Sequence, residues 1–488
     1  MKFDVKIPKS MSTQHPDNVN VPFFANHQDM SSEDEIQEAY YVYSHLGIDE
    51  QMWDYEGKEV DNQVVKKLIT RYSEYFKDQV LGEDKFLTLR VPNPHVEKSE
   101  AKLLIETLES IPRFYDVAKL FYSRDIPPVF EVILPMTSDD KAINAVYYYY
   151  KDFVVGKQNR IINNTGLRVI DWIGHFKPEK INVIPLFETK EQILNCDVIL
   201  KKYLENKDFH YQRVFLARSD PALNYGNLSA ILMNKIGMYK LWLLQKEIKI
   251  KIYPIIGVGS APFRGNMRPE TVEQLINGYP FAHTFTLQSA FKYDNNAEKI
   301  IEAVKKINQK TLESPKPVDD DIYLEIIEKY SNMYAKQVKD VANVINVISK
   351  YVPKRRRRKL HIGLFGYSRT AGKVKLPRAI TYAAAMYSIG YPPEILAINV
   401  LEDYMIYEIK KVYQNFEYDL RCALRYYNPH SPFIHKEVKK KIEDLIDFEI
   451  DKQHKQITDK IILAIKNYSF ENLTELITSA AGLRRFLG

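Results

Sequence analysis

Cysteine is nearly absent. Cys196 and Cys422 are the two in 488 residues, and they stand far apart. They cannot build a disulfide framework or a cysteine-based zinc site, and a reducing compartment is the expected one. Long apolar runs are missing too. None approaches the roughly 18 residues of a membrane-spanning helix. The N-terminus, MKFDVKIPKSMSTQHPDN, has no apolar core of a secretory signal. These absences predict a cytoplasmic protein with no membrane partner. An excess of one charge is also lacking: 69 basic residues face 63 acidic ones, a net of +6, so the chain as a whole is not patterned to coat nucleic acid. No GxGxxG opens a strand–helix turn and no GxxxxGK[ST] occurs, so the cues for dinucleotide and P-loop sites are missing.

What is present is a series of short apolar runs at 86–91 (FLTLRV), 128–134 (PVFEVIL), 181–187 (INVIPLF), 213–217 (RVFLA), 248–256 (IKIKIYPII), 284–287 (TFTL) and 361–365 (HIGLF). Each is rich in Val, Ile, Leu or Phe and ends at a polar or Gly/Pro cluster, as strands buried on both faces do. Helical patterns separate several of them, which argues for a parallel sheet. With a further strand expected at 2–8, the count approaches eight. The expected fold is a TIM-like (β/α)8 barrel with inserted helices, and an open doubly wound sheet is the competing arrangement. Beyond about residue 380 the periodicity is helical throughout. The predicted organisation is an α/β barrel core over 1–380 and a helical C-terminal region over 381–488 packed on it, as one continuous unit.

Chemistry in a parallel barrel sits at the C-terminal ends of the strands. Read in order, those ends carry Arg90, Glu188, Asp220, Arg264, Gln288 and Arg369. Two carboxylates suit Mg²⁺ or Mn²⁺ sharing coordination with water and a phosphorylated substrate. Arginines match phosphate and carboxylate through paired hydrogen bonds. Each has a plainer reading: Glu188 and Asp220 precede helical stretches and suit a helix cap or first turn, and the arginines suit surface ion pairs. His15, in MSTQHPDN, is either part of a polar turn or a general acid/base delivered on a loop. The stretch 354–378 holds ten basic residues and no acid, so the rest of the chain is 59 basic against 63 acidic. Its first half, KRRRRK from Lys354 to Lys359, reads as a solvated loop or an anion site. Its second half, GYSRTAGKVKLPRA, has the spacing of an oxyanion cradle and includes Arg378.

At these residues the sequence resembles phosphoenolpyruvate carboxylase, in its short archaeal type. MSTQHPDN is similar to the N-terminal signature of that type. NVIPLFET is nearly the family's VVPLFET, which puts its metal-binding Glu at Glu188. ARSDPALNYG resembles GYSDSxKDAG, with the metal-binding Asp at Asp220. LTLR is similar to LDVR, ending at Arg90. IIGVGSAPFRGN resembles FHGRGGxxGRGG, with its second Arg at Arg264. GYSRTAGKVKLPRAI is similar to GSRPxKR…LRAIPW, with its arginines at Arg369 and Arg378. The chain departs from the longer enzymes at Leu223, where they have Lys, at Ile256 and Val258, where they have His and Arg, and at Arg485 and Phe486, which replace the region of an inhibitor-binding Asn.

The resemblance implies that phosphoenolpyruvate (PEP) and bicarbonate react through carboxyphosphate and a metal-bound enolate to oxaloacetate and phosphate. It implies Mg²⁺ or Mn²⁺ on Glu188 and Asp220, a phosphate clamp of Arg90, Arg369 and Arg378, His15 as proton acceptor, and Arg264 as the group holding carboxyphosphate or CO₂. It also implies a homotetramer. The Gly-rich turns at 257–265 and 366–372 are candidates for a moving cover. The competing readings are a pyruvate kinase- or citrate lyase β-like barrel enzyme and, more remotely, a nucleic-acid-binding protein using the 354–359 run.

Overall fold

The computed structural model describes residues 6–58, 60–357, 370–371 and 374–488. Eight short parallel strands close a barrel: β1 (Ser10–Ser12), β2 (Glu50–Asp54), β3 (Phe86–Arg90), β4 (Glu131–Leu134), β5 (Asn182–Phe187), β6 (Tyr211–Ala217), β7 (Lys251–Gly257) and β8 (Thr284–Leu287). Each pairs with the next, and β8 returns to β1 with Met11 opposite Thr286. The expected barrel is therefore observed, and the open sheet is not. Alternate strand residues such as Met52, Ile133, Leu186 and Phe215 fill the barrel interior. The opposite faces pack on the surrounding helices. Burial on both faces explains why most strands read as unbroken apolar runs.

The strand readings differ from the structure at two places. The first described strand is Ser10–Ser12, whose sequence SMS carries a single apolar residue and so has no run to mark it; of the expected strand at 2–8, residues 6–8 are not in a strand and 2–5 lie outside the described residues. β2, EQMWD, is a strand that the apolar pattern does not show, because charged residues stand at both its ends. Glu50 points inward to a buried ion triad at the barrel floor. Arg213 Nη2 donates to Glu50 Oε2 at 2.7 Å, and its Nη1 donates to Glu131 Oε2 at 2.7 Å. Removing one partner of such a triad costs about 3–5 kcal/mol, so these polar residues are fixed in strands that look too charged to be interior. The expected strand at 361–365 lies outside the described residues, and the barrel is already closed by Leu287.

After β8 the described residues are mainly helical, apart from a short antiparallel pair, Thr370–Ala371 with Val374–Lys375. The helix Asp320–Ile348 runs 29 residues. It is followed by Ala379–Ser388, Asp403–Val412, Phe416–Leu424, Lys436–Leu445, Lys452–Lys466 and Leu473–Arg484, the expected helical layer. Most are amphipathic; Lys436–Leu445 buries Val438 and Ile442, one turn apart, and exposes Lys436 and Lys440. Ala379–Ser388 (AITYAAAMYS) differs. It is buried nearly all round, between the long helix, the last helix and the helix Ser219–Tyr225 that follows β6. Its run of alanines permits that close approach. No described helix is long and apolar enough to cross a membrane.

Candidate active site at the barrel mouth

The strand ends converge. His15, Arg90, Glu188, Asp220, Arg264 and Arg378 all line one cavity at the C-terminal mouth of the barrel, as does Gln288. Arg369, the turn 366–369 and residue 372 lie outside the described residues.

Glu188 directly follows β5 and is 4% exposed. It does not cap the helix after it. That task falls to Thr189, whose hydroxyl accepts from Gln192 N–H while the Gln192 side chain returns to the backbone N–H of Glu188 and Thr189. Glu188 is thereby left to the cavity, with Oε2 accepting from Met136 N–H at 2.7 Å. Asp220 sits in the first turn of the helix Ser219–Tyr225. Burial pushes the Glu188 carboxyl well above the usual range, and the charges of Asp220 and Glu56 push it the same way, against a smaller opposing effect of Arg90.

That repulsion tests the fit of a divalent ion. A carboxyl whose ionisation is disfavoured by burial and by a neighbouring carboxylate is relieved by a cation bound beside it. Mg²⁺ or Mn²⁺ suits a pair of carboxylates that leaves other positions to water and phosphate. Among the described residues no third His, Cys, Asp or Glu joins them in a metal-holding cluster. The donor set thus fits a metal shared with substrate rather than a closed structural site.

Arg90, the last residue of β3, is held by two carboxylates that sequence reasoning missed. Its Nε and Nη2 donate to the two oxygens of Asp54, and Nη2 lies 2.9 Å from Glu56 Oε2. Burial by itself would raise the Asp54 carboxyl. Arg90 outweighs it, with Lys58 and His15 adding to the effect, and holds the group well below the usual carboxylate range. Asp54 ends β2 and Glu56 follows two residues later, so recognising that strand was the signal that would have found them.

Arg264 is 2% exposed. Nε donates to Ser219 Oγ (3.0 Å), Nη1 to the Gly488 backbone oxygen (3.0 Å) and to Asp17 Oδ2 (3.4 Å), and Nη2 to Gln288 Oε1 (2.6 Å). It is fixed from four sides with its head at the cavity. His15 follows β1, and its Nδ1 lies 2.9 Å from Thr13 Oγ1. Arg378 is the N-cap residue of Ala379–Ser388.

The KRRRRK run is not simply a solvated loop. Arg355 and Arg356 are 7% and 3% exposed. Arg355 donates twice to Val19 O, and Arg356 lies between Glu35 and Glu38. Arg357 pairs at the surface with Asp29. Arg358 and Lys359, which end the run, lie outside the described residues.

A parallel barrel whose mouth gathers buried acids and fixed arginines defines a barrel enzyme for anionic substrates. The family model described as phosphoenolpyruvate carboxylase matches residues 7–488. A phosphoenolpyruvate carboxylase of Methanothermobacter thermautotrophicus is 54% identical over 99% of this chain and 100% of its own. Those of Methanospirillum hungatei and Halobacterium salinarum are 50% and 44% identical over the same shares. The chain belongs to the phosphoenolpyruvate carboxylase family.

Proposed function

We infer that this protein carboxylates PEP with bicarbonate, giving oxaloacetate and phosphate. The observation that carries the reading is the convergence, in a member of this family, of His15, Arg90, Glu188, Asp220, Arg264 and Arg378 on one cavity.

The placement supports the roles that the family resemblance implies. Glu188 and Asp220 would hold Mg²⁺ or Mn²⁺, which when bound would supply a template and charge stabilisation for the reacting oxygens. Arg90 and Arg378 bind the phosphoryl group and balance its charge; Arg369 is proposed as a third member of the clamp on the family resemblance alone. Bicarbonate oxygen attacks phosphorus as the enol oxygen leaves, forming carboxyphosphate and the enolate. His15 takes the proton of carboxyphosphate, which divides into CO₂ and phosphate. Arg264, locked by Ser219, Asp17, Gln288 and Gly488, keeps the one-carbon fragment against the enolate, whose carbon then bonds to it. Water must be kept out while the enolate exists, and the buried walls around Arg264 support that.

The test is an assay with PEP, bicarbonate and Mg²⁺, reading oxaloacetate through malate dehydrogenase. ATP formed from ADP, with no oxaloacetate, would instead favour a pyruvate kinase-like reaction. Replacement of Arg264 by Gln is expected to uncouple the steps, leaving bicarbonate-dependent PEP cleavage to pyruvate; equal loss of both products would remove that role. We further propose a homotetramer, to be read by light scattering, and a cytoplasmic location, supported by two free thiols.

A further inference from the structure

Behind His15, and outside the cavity, lies a buried chain of charge that the reaction does not consume. Lys292, on the short helix Ser289–Tyr293 after β8, uses all three ammonium hydrogens. They go to Ser12 Oγ (2.8 Å), Thr13 O (3.0 Å) and Glu38 Oε1 (2.7 Å). Glu38, on the helix Ser32–Ser44, is in turn held by both terminal nitrogens of Arg356, at 2.8 and 2.6 Å. Arg356 also reaches Ser289 Oγ at 3.0 Å. The side chains of Lys292, Glu38 and Arg356 are each 0% exposed.

Both ends of this chain touch what frames His15. Lys292 grips the main chain of Thr13, whose hydroxyl is 2.9 Å from His15 Nδ1. Arg356 holds Ser289, whose backbone N–H donates to His15 O at 3.2 Å. The imidazole is therefore fixed at its ring and at its own carbonyl by residues that the same ion cluster positions. A partner on Nδ1 decides which ring nitrogen carries the proton. A buried cluster of full charges costs desolvation energy that apolar packing would not, which makes a purely stabilising role a poor account of it.

We propose that Lys292 and Arg356, joined through Glu38, are positioning residues for His15: they fix the ring's orientation and tautomer from beneath the barrel mouth. This gives the run at 354–357 a place in the reaction without contact with substrate. The inference rests on His15 being the proton acceptor.

The experiment compares Lys292→Met and Arg356→Lys with the parent by steady-state kinetics and by ¹⁵N spectroscopy of the histidine rings. Lys292→Met is expected to lower kcat about 100-fold, the cost of misplacing a catalytic group by about 1 Å, with KM for PEP within about threefold. The His15 ring signals should change their tautomer pattern. Arg356→Lys keeps the charge but loses the fork, and should fall between parent and Lys292→Met; it carries the test if Lys292→Met does not fold. Glu131→Gln, at the barrel floor, serves as the control: it should lower thermal stability and leave kcat within about twofold. Unchanged kcat and His15 signals in both positioning variants would overturn the inference, as would an equal loss of kcat in Glu131→Gln. His15→Asn separates the two ideas. If it keeps full turnover, the acceptor role fails and this inference fails with it; if it loses turnover while Lys292→Met does not, this inference alone fails.

Discussion

Arg90 and Asp54 form a two-pronged ion pair across the mouth of the barrel, Nε to Oδ1 at 2.8 Å and Nη2 to Oδ2 at 2.9 Å. The pairing fixes the plane of the guanidinium before any substrate arrives, and it spends part of the positive charge that a phosphate would meet. Orientation and charge are thus set against each other. Asp54→Asn cannot accept both hydrogen bonds, so the plane is loosened while the local potential rises. We expect kcat to fall about tenfold or more, with no rise in KM for PEP. Initial-rate kinetics over PEP concentration checks this. A raised KM with unchanged kcat would mean that Asp54 only shapes binding.

Glu188→Gln keeps a carbonyl oxygen but removes one charge from the carboxylate pair. The concentration of Mg²⁺ or Mn²⁺ at half-maximal activity should rise by about tenfold or more. Direct Mn²⁺ titration by electron paramagnetic resonance should show the same weakening without PEP. An unaltered titration would exclude Glu188 as a ligand.

The barrel was legible because most of its strands are buried on both faces and therefore read as apolar runs. β2 was not, since Glu50 serves an interior ion triad and Asp54 serves Arg90. A strand that carries function at one end and an ion pair at the other loses its hydrophobic signature. The site residues at Glu188, Asp220, Arg264 and Arg90 could be read from their places at strand ends, whereas Asp54 and Glu56 hung on the strand that was missed. The interior role of the KRRRRK run had no local signal at all. Arg356 meets Glu38 across 318 positions of sequence, and Arg355 meets Val19 across 336. A string of like cations does not tell which members find buried acids and which face water.

Glu394 offers a pH test away from the mouth. Burial pushes its carboxyl up from 4.5 to about 7, although Tyr387 donates to it. Between those values the native state keeps a proton that the unfolded chain has released, so stability falls as pH rises through that window and levels off above it. Glu394→Gln preserves an oxygen acceptor and cannot ionise. Urea midpoints measured from about pH 5 to about pH 8 should decline less steeply in the variant than in the parent. Parallel declines would mean that the proton is not held at Glu394.

Gly488 sits where only a glycine fits, and it supplies an acceptor for Arg264. An added Cβ would lie 2.1 Å from Ile380 O and 2.4 Å from Ala384 N. Both are backbone atoms of the buried helix Ala379–Ser388, so the obstruction cannot swing aside as a side chain would. Gly488→Ala must therefore move residue 488, and with it the backbone oxygen 3.0 Å from Arg264 Nη1. Breaking a buried hydrogen bond to a charged group costs about 1.5–3 kcal/mol. That loss falls on the arginine proposed to retain the one-carbon fragment, not on the groups that bind phosphate. The expected outcome is a partial version of the Arg264→Gln behaviour: a larger share of PEP ends as pyruvate and less as oxaloacetate, while PEP consumption falls less. Measuring both products in the same reaction checks it. A uniform loss of both would place the effect of Gly488 on folding of the last helix rather than on Arg264.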